Sequence, residues 1–553
     1  MAQTTQRHIR TRAQESSQAI ERIYITMRHL FNRGYYKPMG VSGESLREAL
    51  LVLRPEIYGS IAEEKIELQG LLYVIDRLPY GIEECSYINL TSDEGYHTSH
   101  FEPIIPLKRR RNCYRIDEEQ MNIEITRGRS EIYDILTHLT FLYVESHKIM
   151  HQILINEEGH TIRDWKKLEE AVLQKKKLSE KDKEIALTHT ANFLGRTFEE
   201  VKEVYPSFSC KEDAHRFLKI IYYLGKGALA ETLEGKQRLI TFSPVLRERL
   251  GHHIHGEKWA ARIKNTLSEK NWLDRPLHII SANMHSVMNT LFAEKALASD
   301  MKNSSKLALF EALSKSSNQK LRDKVTQRAL EHGMVFLKDE SGTNIDVQLF
   351  DTNQIQIDST IAKDAVILVM DYAFGEQAYE TLDELLKPYH FNGTKSFMNV
   401  QSISIMGKAG ILEGGKGDIM IPSAHIFEGT ADNYPFKNKL KKSHFEDDIN
   451  VCKGAMITVL GTSLQNRDIL NFFYTSSWNV IGLEMEGAHY QKAIQAASKI
   501  RGSISPKVEI RYAYYASDNP LETGSTLASG GLGTTGVKPT YLITEKILEQ
   551  ILK

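Results

Sequence analysis

The stretch "AVILVMDYAFGEQAYETLDELLKPY", residues 365–389, decides the fold. It opens with an unbroken apolar run, "AVILVM", far too short to span a bilayer and apolar at every position, as a strand buried on both faces must be. A short loop with Gly375 follows, then apolar residues at helical spacing. The sequence therefore predicts a strand, a tight connection and an amphipathic helix. The same texture recurs on either side: "PLHIISANMHS" (276–286), "VQSISIMGKAGIL" (400–412), "GDIMIPSAHIF" (417–427), "AMITVLGTS" (455–463) and "VEIRYAYYASDNP" (508–520) all read as strands. Strands alternating with helices predict an α/β domain with a largely parallel sheet over about 271–553. Its start is placed near 270, at "SEKNWLDRP".

Residues 1–270 read differently. "SQAIERIYITMRHLFNRG" (17–34) has helical spacing and a glycine stop, and "EIYDILTHLTFLYVESHKIMHQIL" (131–154) predicts another long helix. "DWKKLEEAVLQKKKLSEKDKEIALTHTANFLG" (164–195) predicts a solvated helical pair. This half is expected to be mainly helical, with a regulatory or assembly role.

The balance of composition narrows the function classes. Of 553 residues, 41% are hydrophobic and 25% charged, as in an ordinary globular protein of two or three domains. Basic and acidic residues number 70 and 71, for a net charge of −1, which argues against a nucleic-acid binder. The 4 cysteines form no CxxC pair, so neither a zinc site nor a disulfide framework is expected. "MAQTTQRHIRTRAQESSQ" lacks an apolar leader core, and a reduced, cytoplasmic protein without membrane partners is expected. The histidines of "GHHIHGEKW" (251–259) have no companion ligand cluster, so no metal is expected. The basic run "LKRRRNCYR" (107–115) reads either as a solvated loop or as a site for an anionic or nucleotide effector.

In a parallel sheet, ligands bind at the carboxyl ends of the strands. Here those ends carry Asn283, His285, Gly375, Gly407, Lys408, Thr462, Ser463, Glu484, Met485, Glu486, Ser517 and Asp518. Gly407 and Gly410 permit close approach of backbone to a ligand, and Lys408 between them suits a phosphate. "GLEMEG" (482–487) places two carboxylates around a methionine where a strand gives way to a helix. One carboxylate can serve the helix dipole; a second suits the vicinal hydroxyls of a ribose, with methionine as an apolar wall. Asp518, ending a tyrosine-rich strand, suits a general acid.

"MGKAGILEGGKGDIMIP", "GLEMEG" and "YYASDNP", in that order, resemble the nucleoside phosphorylase and nucleosidase superfamily. "GDIMIPSAHIFEGTADNYPF" and "SDNPL" are most similar to AMP nucleosidases. The resemblance covers about 275–553. It implies a three-layer α/β/α domain with a mixed, largely parallel sheet, preceded by a region linked to regulation. It also implies a purine nucleotide or nucleoside substrate, no cofactor, and a homo-oligomer. In that pattern Glu486 would hold the ribose hydroxyls, with Met485 against the sugar and Glu484 in support. Asp518 would protonate the purine at N7, oriented by Ser517. The Gly407–Gly410 loop would face the phosphate or sugar, and Thr462 and Ser463 the base or sugar. Three departures stand out: Lys408 occupies a position where phosphorylases often have serine, "SANMHS" lacks the water-activating glutamate of small nucleosidases and offers His285 instead, and "AGIL" lacks a second glycine. The resemblance implies hydrolysis of AMP to adenine and ribose 5-phosphate, with phosphorolysis of a nucleoside or a non-catalytic nucleotide sensor as alternatives.

Overall fold

The computed structural model describes residues 12–54, 65–173, 178–302, 304–355, 364–391, 393–428, 430, 432–445, 449–461, 466–522 and 532–552. Among them no helix is long and apolar enough to cross a membrane. The chain divides at Leu250/Gly251 into two compact units, the second holding Gly251–Leu460, Leu470–Gly524 and Ser529–Lys553. The division falls ahead of the boundary expected near 270. The helix Ile254–Glu269 buries Trp259, Ala260, Ile263 and Leu267 in the core of the second unit, so "SEKNWLDRP" is a turn inside that unit rather than a linker.

The first unit contains the expected helices. Arg12–Arg33 stops at Gly34, whose φ of +89° suits a residue without a Cβ. Gly128–Ile153 is buried along most of its length. The charged stretch forms the pair Arg163–Leu173 and Glu180–Phe193, the second capped by the Ser179 hydroxyl, which accepts from the Asp182 N–H. The unit is not purely helical, however. Five short strands, β1 (Tyr35–Tyr36), β2 (Tyr87–Thr91), β3 (Cys113–Arg115), β4 (Gln120–Glu124) and β5 (Leu239–Phe242), form a mixed sheet in the order β1-β5-β2-β4-β3. Strands of two to five residues are too short to show a period of two in the sequence, which is why the pattern of helices alone was legible. The basic run 107–115 faces carboxylates: Lys108 lies 2.7 Å from Asp76, Arg109 and Arg111 each reach Asp134 at 2.8 Å, and Arg115 reaches Glu84 at 3.0 Å. Burial pushes Asp134 up, but Arg109, His138 and Arg111 beside it hold its carboxyl well below the usual range.

The second unit is an α/β structure around one ten-stranded sheet. Its strands are β6 (Leu277–Ser281), β7 (Met334–Leu337), β8 (Val347–Asp351), β9 (Val366–Met370), β10 (Tyr389–Phe391), β11 (Thr394–Ser396), β12 (Val400–Ile411), β13 (Ile419–Phe427), β14 (Asn433–Pro435), β15 (Val451–Thr458), β16 (Val480–Glu484) and β17 (Glu509–Asp518), with β10 and β11 as a separate hairpin. The run at 365–370 behaves as read: Val366, Leu368 and Met370 enter one core with Ala378, Leu382 and Leu385, while Ile367 and Val369 enter the opposite core with Val287 and Phe292. Each such side chain contributes roughly 1.5–3 kcal/mol relative to exposure. Helices thus cover both faces.

The sheet is more evenly mixed than expected. β9, β6, β12 and β17 run parallel to their neighbours in turn, as do β16, β15 and β13, but β12 meets β16 antiparallel and β13 meets β17 antiparallel. Those two contacts close β12, β16, β15, β13 and β17 into a ring. Pairing between strands far apart in sequence carries no local signature, so the closure was not readable from residue patterns.

Candidate functional site

β12 organises the site. On one edge it pairs continuously with β17, from Ser402 opposite Glu509 to Gly410 opposite Asp518, with a register shift at Ala409/Gly410. On its other edge it pairs with β6 only as far as Ile405, and with β16 only at Gly410 and Ile411. Among the described residues, Met406–Ala409 therefore meet no strand on that edge. The expected glycine loop 407–410 is instead strand, and the loop proper begins after Ile411. Glycine has a packing reason at 410, where a Cβ would lie 2.9 Å from Leu483 Cδ2.

Gly410 faces Leu483 on one side and Asp518 on the other. Two strand spacings separate those neighbours, roughly 10 Å. Because β16 is antiparallel here, Glu484 at its end comes level with Ala409. The "EMEG" and "SD" segments, distant in sequence, thus come level with one another across β12, the first beside its open stretch and the second on its paired edge.

The carboxylates at these strand ends differ in role. Glu484 is buried, and its oxygens accept from the Thr458 hydroxyl at 2.6 Å and from the N–H groups of Glu486 and Gly487. Burial, with Glu486 nearby, pushes its pKa up to about 8. Thr458 also accepts from the Ala488 N–H at 2.9 Å, so one hydroxyl ties the end of β15 to the start of the helix Gly487–Gln495. Glu486 stands at the N-cap of that helix and is half-buried. Its Oε1 accepts from the Gly375 N–H at 2.8 Å. Gly375 has φ +55°, a conformation that favours glycine. Met485 between the two glutamates is half-buried.

Ser517 is buried and its hydroxyl reaches Asp518 Oδ1 at 2.5 Å and the Ala409 carbonyl at 3.0 Å. Asp518 itself is half-buried. Lys408 projects an exposed side chain from β12, in register with Tyr515. His285 lies exposed in the first turn of the helix Met284–Ala296, where its N–H donates to Asn283 Oδ1 at 3.0 Å. Thr462, Ser463 and most of the 523–536 loop lie outside the described residues.

Four neighbours of this site went unread in the sequence. Thr458 is one. His425 is another: fully buried, its Nε2 is 3.2 Å from the Tyr514 hydroxyl, its ring stacks on Phe436, and burial pushes its pKa down to about 3. A Cβ at Gly487 would lie 2.3 Å from His425 Cδ2, which explains the glycine of "EMEG". Glu428, just past β13, is buried; among the described residues neither carboxylate oxygen has a hydrogen-bond partner, and burial pushes its pKa up to about 8 despite the Leu460 main chain. Tyr372, beyond β9, is the fourth. Thr458, His425 and Glu428 are buried polar residues in apolar company, which resemble core in a sequence; the "AHIFEGT" segment holds two of them.

Of the histidines 252, 253 and 255, His253 is brought near acidic groups: its ligand atom and those of Asp383 and Glu384 all lie within 4.8 Å of one another. Glu384 already receives Lys387 at 2.5 Å and Asp383 receives Arg501 at 2.6 Å. Those cations neutralise the group, and the arrangement is that of an ion-pair network.

Solved structures similar to this chain include three enzymes. The 5'-methylthioadenosine/S-adenosyl homocysteine nucleosidase of Campylobacter jejuni is 12% identical, with 50% of this chain and 98% of that one covered and a TM-score of 0.30. Uridine phosphorylase from Schistosoma mansoni in complex with thymine is 13% identical, with 50% and 88% covered and a TM-score of 0.31. Futalosine hydrolase of Helicobacter pylori strain 26695 is 13% identical, with 49% and 99% covered and a TM-score of 0.28. No curated protein matches the chain. A family model does, over residues 44–302 and 294–553, and the chain accordingly belongs to the family described as "Family of unknown function (DUF6909)".

Proposed function

We propose that the second unit hydrolyses the N-glycosidic bond of a purine nucleotide, AMP above all, giving adenine and ribose 5-phosphate. The observation that supports this reading is that β16, which leads into Glu486, and β17, which ends at Asp518, meet opposite edges of β12 at the same residue, Gly410. A sugar held by one and a base held by the other would put the bond between them over β12 near Gly410.

Such a cleavage passes through an oxocarbenium-like sugar. In the proposed reaction Asp518 delivers a proton to the departing base as the N-glycosidic bond breaks, a water molecule adds its oxygen to the anomeric carbon, and the proton that this water releases restores the acid. The Ser517 hydroxyl has one hydrogen and two acceptors within reach, Asp518 Oδ1 and the Ala409 carbonyl. It can donate to the Asp518 carboxylate, and when Asp518 carries the proton it can accept from it while donating to Ala409. Both protonation states are thereby accommodated without movement of the main chain. Glu486, oriented by the Gly375 N–H, holds the ribose hydroxyls and places negative charge near the developing cation.

A second reading, phosphorolysis of a nucleoside, is favoured by one observation: Lys408 presents an exposed cation on β12 between Gly407 and Ala409. The two are separated by measuring adenine release from AMP and from adenosine, with and without inorganic phosphate, and identifying the sugar. Ribose 5-phosphate from AMP without phosphate supports hydrolysis. Ribose 1-phosphate from adenosine, formed only with phosphate, overturns it. Release of base from neither substrate overturns both readings.

A further inference from the structure

β6 ends at Ser281, level with Met370 in β9 and Ile405 in β12, and Asn283 then caps the helix Met284–Ala296. The chains on either side run on. β12 continues through Met406–Ala409, and beyond β9 the Asp371 N–H still donates to the Asp346 carbonyl at 3.1 Å. Asp371 and Met406 thus stand one residue past the end of β6, two strand spacings or roughly 10 Å apart.

Residues 371–375 border this stretch. Tyr372 reaches across to β12, its Cε1 3.8 Å from the position a Gly407 Cβ would occupy. At the far end Gly375 donates its N–H to Glu486. The buried Tyr490 hydroxyl lies 2.9 Å from Oγ of Ser281, the last residue of β6. Burial pushes that phenol up, and the charges of Glu486 and Asp371 add to the push, so both carboxylates lie near the same hydroxyl. Asp371 is half-buried, and its Oδ1 accepts from the Tyr372 N–H at 2.9 Å.

Hydrolysis needs a group that takes a proton from water. Among the described strand-end residues the alternatives are committed elsewhere. The oxygens of Glu484 accept from the Thr458 hydroxyl and two N–H groups. In the proposed reaction Glu486 holds the ribose and Asp518 protonates the base. His285 is exposed on the first turn of its helix. We infer that Asp371 is a further catalytic residue, the general base for the attacking water. This rests on the proposed hydrolysis and adds to it the group that activates the nucleophile. As the water oxygen bonds to the anomeric carbon, its O–H bond breaks and the proton passes to the Asp371 carboxylate. The bond from that carbon to the purine breaks, and its electron pair leaves with the base, which takes the proton of Asp518. Exchange through solvent then returns the proton from Asp371 to Asp518.

The test uses the full chain with Asp371→Asn, which keeps an acceptor for the Tyr372 N–H but cannot take a proton. Adenine release from AMP is measured with and without sodium azide, a nucleophile that has no proton to lose, and affinities for adenine and ribose 5-phosphate are read by calorimetric titration. The expected result is a fall in kcat of about 10²–10⁴-fold, unchanged product affinities, and release restored by azide with formation of the sugar azide, in which an azide nitrogen replaces the purine. Wild-type turnover in a folded Asn variant would overturn the inference while leaving the glycosidase reading intact. So would a loss that azide does not relieve, because the carboxylate would then serve geometry or binding. Base release by the wild-type protein only with inorganic phosphate would overturn the inference together with hydrolysis. If the wild-type protein releases no base from AMP, the functional reading itself fails and the inference with it. Should the Asn variant not fold, Asp371→Ser takes its place under the same criteria.

Discussion

The Gly375 N–H donates to Glu486 Oε1 at 2.8 Å, joining the loop after β9 to the N-cap of the helix Gly487–Gln495. One carboxylate oxygen is thereby held by the protein, and its orientation is fixed before any ligand arrives. Glu486→Gln keeps the shape of the side chain but removes its charge, and its amide nitrogen can face Gly375 only as an ill-matched donor. We expect the variant to lose about 10²-fold or more in kcat/KM for AMP, with KM rising as well. Steady-state kinetics decide it; unchanged constants would remove Glu486 from the ribose site.

Asp518→Asn leaves the hydrogen bond from Ser517 in place but cannot deliver a proton. Its turnover is expected to fall about 10²–10⁴-fold, with the affinity for AMP retained in an equilibrium titration. A variant turning over at near the wild-type rate would show that another group protonates the base.

Gly487→Ala probes the packing beneath the site. The added Cβ would meet His425 Cδ2 at 2.3 Å, His425 Nε2 at 2.5 Å and Glu484 Oε1 at 2.7 Å, the first two on a buried ring and the third held by the Thr458 hydroxyl. Overpacking of this kind costs about 1–3 kcal/mol, and a lower midpoint in chemical denaturation is expected. Activity should fall with it, because the helix start that carries Glu486 must shift. Wild-type stability would mean that His425 can move aside.

Glu428 gives the protein a pH-dependent stability term. Buried, it keeps its proton up to about pH 8 in the folded chain, whereas an unfolded glutamate releases it near pH ~4.3. Between those values the folded state binds the extra proton, so this term falls as pH rises and is lost through about pH 8. Glu428→Gln removes it. Urea denaturation from pH 5 to pH 9 should show the variant gaining on the wild type as pH rises, by on the order of 4 kcal/mol at most, and levelling off above pH ~8. A constant difference across the range would mean that Glu428 is ionised in the fold.

The sequence by itself determined the local chemistry. "AVILVM" is apolar at every position because helices cover both faces of β9, and that property is visible in six consecutive residues. Strand ends in "EMEG" and "SD" were legible because polar residues directly after apolar runs mark where chain leaves a buried sheet. What it could not state is which ends meet. The glycine segment 407–410 resembles a loop in composition, since glycine serves loops and close packing alike; only the contact of Gly410 with Leu483 shows that packing is the cause. The short strands of the first unit, the even mixture of parallel and antiparallel pairs, and the closing of β13 onto β17 are decided by hydrogen bonds between residues far apart in the chain. So are the partners of Glu484: Thr458 is 26 positions away in sequence and 2.6 Å away in space. Patterns of three or four residues record burial and backbone preference, because those act on each residue where it stands. Register and proximity are properties of pairs, and the tertiary structure alone settles them.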